Sequence, residues 1–141
     1  MTSTTQNEAR AAIYTLFLTA WEAGSDTPVA RDNEKTDLPD GDLPWVRLSV
    51  RHFGRGQWTI GKAGTRQFKR VGSAFIQVYV LADDGTKNGD DLSNEAAAVF
   101  EGERIAGTSV CFKDVDVTEQ GRDGKWFVFL VEAEFEYFEE K

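Results

Sequence analysis

The stretch WFVFLVEAEFEYF, residues 126–138, alternates so regularly that it defines a strand and both of its faces. Successive side chains of a strand point to opposite sides. Phe127, Phe129, Val131, Ala133, Phe135 and Tyr137 therefore share one face, apolar throughout. The other face changes midway, from Trp126, Val128 and Leu130 to Glu132, Glu134 and Glu136. The first face is predicted to cover a core beneath helices. The apolar end of the second needs cover from a loop of the same chain or from a second subunit, because contiguous exposed apolar surface marks a contact.

Working outward, VCFKDVDVT (110–118) reads as a strand, and QGRDG (120–124) as the turn that makes the two a C-terminal β-hairpin. SAFIQVYVL (73–81) and WVRLSVRHF (45–53) have the same period of two. In the latter, Val46, Leu48 and Val50 point one way, and Trp45, Arg47, Ser49 and Arg51 the other. Residues 54–72 between them are glycine-rich and basic, the pattern of a hairpin excursion. A helix is predicted over 5–23, capped by Thr4 or Thr5, with Ile13, Leu16, Phe17 and Ala20 as its buried stripe and Gly24 as its stop. A shorter one is predicted over 91–101, with Asp90 or Asp91 near its positive end and Gly102 after it. Residues 82–90 read as a loop. Residues 25–44 hold all three prolines and no period, so they read as a long loop, either disordered or used for contacts.

A length of 141 residues suits one domain, 1–141, with a long loop at 24–44 and the basic excursion at 54–72. An apolar fraction of 40% is enough for a globular core, and no apolar run approaches the length of a membrane span. The opening MTSTTQNEAR has neither the basic nor the apolar region of a signal peptide, which leads to the expectation of a cytosolic protein. One cysteine, Cys111, excludes an internal disulfide and a thiolate-cluster metal site, and one histidine, His52, disfavours histidine-based metal or triad chemistry. The net charge of −8 is unevenly spread. Leu43 to Ala82 holds no Asp or Glu but carries Arg47, Arg51, Arg55, Lys62, Arg66, Lys69 and Arg70, so this segment is +7 and the remainder −15. Two unlike surfaces follow, able to meet within one molecule or between copies.

Motifs of chemistry fall short. GQWTIGKA (56–63) begins like a phosphate-binding loop, but Ala63 stands where a magnesium-ligating hydroxyl belongs, the residues before it end in glycines where a buried parallel strand is expected, and no helix reads after it. DGTKNG with Glu95 (84–95) approaches calcium-loop spacing, but Thr86 replaces an acid, Lys87 adds a positive charge, and a strand precedes it. His52 lies among arginines, Cys111 reads as a strand residue, and no spacing pairs a carboxylate acid with a base. No catalytic residue, metal or cofactor is expected. The basic segment 47–70, with Phe53, Trp58 and Phe68 interleaved, fits a single-strand-binding module, but the acidic overall balance weighs against it.

The order of motifs carries a resemblance. After the N-terminal helix come TPV (27–29), DNE (32–34), PWVRLSV (44–50), RVG (70–72), AFIQVYV (74–80), the GTKNG loop, a short helix and a closing hairpin with an acidic, aromatic last strand. The chain resembles the phage tail terminator-like family of long, flexible-tailed phages over nearly its whole length. NGDD at 88–91 is more charged than that pattern leads one to expect. The resemblance implies an α+β fold, a mixed and mostly antiparallel sheet with two helices packed on one face. It also implies a non-enzymatic structural role. Such proteins form a ring, usually of six copies, that ends the tail tube, offers a surface to the head connector protein and lets DNA through without specific binding. The implied place is the head–tail junction of the virion, reached from the host cytoplasm during assembly. The charge split places the contacts of such a homo-oligomer, and those with the tail tube protein, at Trp45, Arg47, Arg51, Trp58, Arg66 and Lys69 against Asp83, Asp84, Asp90, Asp91, Glu132, Glu134 and Glu136. Another head-completion or tail-tube protein is the alternative within the same class.

Overall fold

The computed structural model describes residues 2–31 and 41–141. The DNE motif at 32–34 and the proline-rich run that follows it lie outside the described residues. Helix α1 (Gln6–Gly24) starts where Thr5 accepts a bond from the Glu8 amide. Strands β1 (Val29–Arg31), β2 (Trp45–Gln57) and β3 (Gln67–Leu81) follow, then helix α2 (Lys87–Phe100) and strands β4 (Cys111–Asp123) and β5 (Trp126–Glu140). The sheet order is β1-β2-β3-β5-β4. Only β1 runs parallel to its neighbour, Val29 opposite Val46; the other pairs are antiparallel. This is the expected α+β domain with a mixed sheet and a C-terminal hairpin.

Strands β3 and β5 pair over their full length, from Gln67 opposite Glu140 to Leu81 opposite Trp126. Rows such as Leu48–Ile76–Val131 thus line up across three strands on the face beneath the helices. Both helices close over that face in one core, where Ile13, Phe17 and Phe100 are fully buried with Phe129 and Tyr137. Phe17 stacks on Phe100 at 5.8 Å and on Trp21 at 5.3 Å.

Three sequence expectations change. The buried stripe of α1 is Ala9, Ile13, Phe17 and Trp21, whereas Leu16 is half-buried and Ala20 exposed. The large rings of Phe17 and Trp21 set the helix's rotation, because they stack in the core. A three-residue strand, β1, stands inside the expected 25–44 loop; its partner β2 begins 14 residues after β1 ends, so no local period announces it. Helix α2 begins at Lys87, not Asp91. Gly89 in its first turn is buried against the Phe129 ring, and a β-carbon there would overlap that ring. A glycine that reads as a loop signal is what lets the helix lie flush on β5.

Candidate assembly surface

The basic excursion is a continuation of the sheet. β2 runs on to Gln57 and β3 starts at Gln67, so only residues 58–66 form the tip. A bulge at Phe53 lets β2 pair on past Gly54. Gly72 is required opposite it, since a β-carbon there would meet the Arg51 carbonyl and the Phe135 ring. The tip is ordered by its own bonds. Trp58 and Thr59 amides donate to the Gln67 carbonyl at 2.7 and 3.2 Å, and the Gln67 amide donates to Thr59 Oγ1 at 2.8 Å. Its side chains stay in water: Ile60 is 99% exposed and Trp58 60%.

The root of this arm is clamped by β5. Lys69 Nζ lies 2.9 Å from Glu136 Oε2 and 4.9 Å from the centre of the Trp58 ring, and Lys113 of β4 reaches the same oxygen at 3.1 Å. Burial pushes the Glu136 carboxyl upward, but the hydrogen bonds and charges of Lys69 and Lys113 outweigh it and hold the carboxyl below its ordinary 4.5. On the helix side, Arg70 pairs with Glu139 at 2.9 Å with both side chains nearly buried. The C-terminal Lys141 and Arg66 exchange backbone bonds of 2.8 and 3.2 Å. His52 Nε2 lies 2.9 Å from the Tyr137 hydroxyl. Burial first, then the charges of Arg10, Arg55 and Arg70, lower the His52 pKa below 6.5. Burial raises the Tyr137 phenol.

Among the described residues no helix packs on the opposite sheet face. The sequence-predicted residues fall there in two groups. Arg47 and Arg51 stand on β2, and Glu132, Glu134 and Glu136 on β5; Ser73 of β3 lies between Arg51 and Glu134, and Gln77 between Arg47 and Leu130. Ser73 Oγ donates to Glu132 at 3.2 Å. At the apolar end of this face Val128 is covered from within the chain, while Trp126 and Leu130 are half-buried. Val128 is buried under Trp45, Tyr79 and Ala30 of β1, with Trp126 packed beside them. Trp45 and Tyr79 stack at 4.0 Å, and the Arg47 guanidinium lies over Trp45 at 5.5 Å. Burial, partly offset by Arg47, raises the Tyr79 phenol. Arg66 departs from the group; it lies on the helix side, its guanidinium 5.9 Å from the Phe68 ring.

The remaining predicted acids gather at the far end of the strands. Asp83, in a left-handed conformation at φ 66, binds Arg122 at 3.0 Å, and Asp91 binds Lys87 at 3.0 Å. Asp84 lines a recess with Asp42, Pro44, Val80, Leu81, Gly85 and Asn88. Asp90 is exposed in the first turn of α2. The calcium-like spacing is thus wound into a helix from Lys87 onward, and of the glycines of 56–64, Gly56 lies in β2 and Gly61 and Gly64 in the hairpin tip, with no helix behind it. Lys113, Arg70, Glu139 and Ile60 were not singled out from the sequence. The only signal for Ile60 was an aliphatic residue without a period, between Thr59 and Gly61.

This arrangement offers contact surfaces. The basic residues divide between two faces, and Lys69 and Arg70 are paired with carboxylates at home, so they do not form one continuous groove. Among the described residues no helix is long and apolar enough to cross a membrane. A comparison with curated proteins finds no match. Among solved structures 26 chains match. One of them superposes with a TM-score of 0.70 at 18% identity, covering 96% of this chain and 96% of its own, a likeness that speaks for the fold alone. The profile of a family described as phage tail terminator protein matches residues 8–132. With that match over most of its length, the chain belongs to the phage tail terminator family and is a structural protein of a phage tail.

Proposed function

We propose that this protein forms a closed ring of copies, six by the resemblance, on the finished end of the tail tube. There it stops polymerisation and presents a surface to the head connector. The observation that carries the reading is the family match over residues 8–132. The shape of the surface supports it. A ring is built from heterologous contacts, in which one patch meets a different patch on the next copy. The molecule has unlike ends: a basic arm at 54–70 with an apolar tip, and an acidic end around Asp83, Asp84, Asp90 and Asp91. The open face carries Arg47 on β2 and Glu132 and Glu134 on β5, a second pair of unlike patches.

Removing the gene from the phage tests the reading. Tubes of irregular length, or tails that fail to join filled heads, are the expected result by electron microscopy. A labelled copy should appear as one ring at the head–tail joint. Normal virions after the deletion would overturn the assignment, and label along the whole tail would make the protein a tube subunit instead.

A further inference from the structure

The tip of the β2–β3 arm and the recess at Asp84 lie at opposite ends of the same strands, about 45 Å apart at roughly 3.3 Å per residue. Ile60 stands in the tip, 99% exposed, on a loop tied at its base by the Trp58, Thr59 and Gln67 bonds. A large aliphatic group presented on an ordered arm gains free energy only when something covers it. Trp58 is backed by Phe138 at 5.9 Å and by Lys69, which leaves its outer surface available beside Ile60. The tip carries Lys62, and the whole segment from Leu43 to Ala82 lacks acids. The recess has the complementary make-up. It is lined by Pro44, Val80 and Leu81 with Asp84 and with Asp42, which already pairs with Lys125 at 3.4 Å, and Leu43, adjoining Asp42 and Pro44, is 62% exposed. Both ends thus combine exposed apolar groups with charges of opposite sign.

We infer that the arm of one copy seats in the recess of the next, with Ile60 and Trp58 against Pro44 and Leu81, and Lys62 beside Asp84. The occupant is a second copy of this chain because the charge complement of the tip lies on the molecule itself. Since tip and recess are different patches at opposite ends, the contact is head-to-tail and does not saturate in a two-fold pair. Apolar burial supplies the attraction, and the Lys62–Asp84 pair sets register and partner choice. The inference rests on the ring reading above and names the contact that closes the ring.

The test joins the two ends chemically. In a Cys111→Ser background, Ile60→Cys and Asn88→Cys are introduced together, and a short bismaleimide is added to the concentrated protein and to purified tails. The expected result is a ladder of covalent oligomers under denaturing conditions, absent from either single variant. Lys62→Asp should lower the cross-link yield about tenfold, and Asp84→Lys added to it should restore the yield. Ile60 and Lys62 contribute nothing to the core, so unchanged melting curves show that the variants fold. No ladder in either setting overturns the contact, as does a cross-link from position 60 to a different tail protein. Protein bound at tail ends without a ladder sinks the arm-to-recess contact alone. Protein absent from tails, with a ladder in solution, leaves the contact standing and sinks the terminator reading.

Discussion

Burial and three guanidiniums act on His52 in one direction, both disfavouring the protonated ring in the folded state. The unfolded chain has no such constraint, so below pH 6.5 it takes up a proton that the folded protein refuses. Stability is therefore fully present above 6.5 and falls as pH drops through the window beneath it. Glu136 adds the same sign at lower pH. Its carboxyl is held below 4.5, so its stabilisation is lost only as acid reaches that lower range. His52→Gln keeps a hydrogen-bonding group near Tyr137 and removes the titration. We expect the urea midpoint of the parent protein to fall between about pH 7.5 and 5.5 and that of the variant to stay nearly level. An equal fall in both proteins would mean that His52 is not the group responsible.

At the scale of elements, the arm shows how pairing overrides composition. Glycine is a poor strand former, yet β2 continues through Gly54 and Gly56 because β3 offers it partners on both sides of the Phe53 bulge. β3 in turn is held by β5 from Gln67 onward. The tip contributes no side chain to either buried cluster. Replacing residues 59–65 by a two-residue Asn-Gly turn, which keeps Trp58 on Phe138 and Arg66 on Lys141, should therefore change folding stability by no more than about 1 kcal/mol, since shortening a loop alters closure entropy only slowly. The shortened protein should melt almost as the parent does but fail to cap tails in a complementation assay. A folded, shortened protein that still caps would remove the arm from assembly.

At the scale of the molecule, unlike charged patches attract over a distance set by salt. The screening length is about 10 Å at 0.1 M and about 3 Å at 1 M salt. Assembly guided by these patches should lose rate and yield as salt rises, while the folded monomer, held by its apolar core, hardly responds. Cross-link yield measured across a salt series checks this, and a flat series would mean that charge plays no part. What the sequence by itself determined is whatever repeats locally: the alternation of residues 126–138, the strands at 45–53 and 73–81, the first helix, and the gap in acids from Leu43 to Ala82. Strand and helix periods are short, so a few neighbours suffice to reveal them. The tertiary structure alone decided the rest. β1 exists because β2 lies beside it, α2 starts at Lys87 because Gly89 fits against Phe129, and Val128 is covered by Trp45 and Tyr79. Lys69 and Arg70 meet Glu136 and Glu139 within the chain because β3 and β5 are paired, far apart though they are in sequence. Contacts of that kind depend on which strands become neighbours, a choice made by burying the whole core at once and carried by no single stretch of residues.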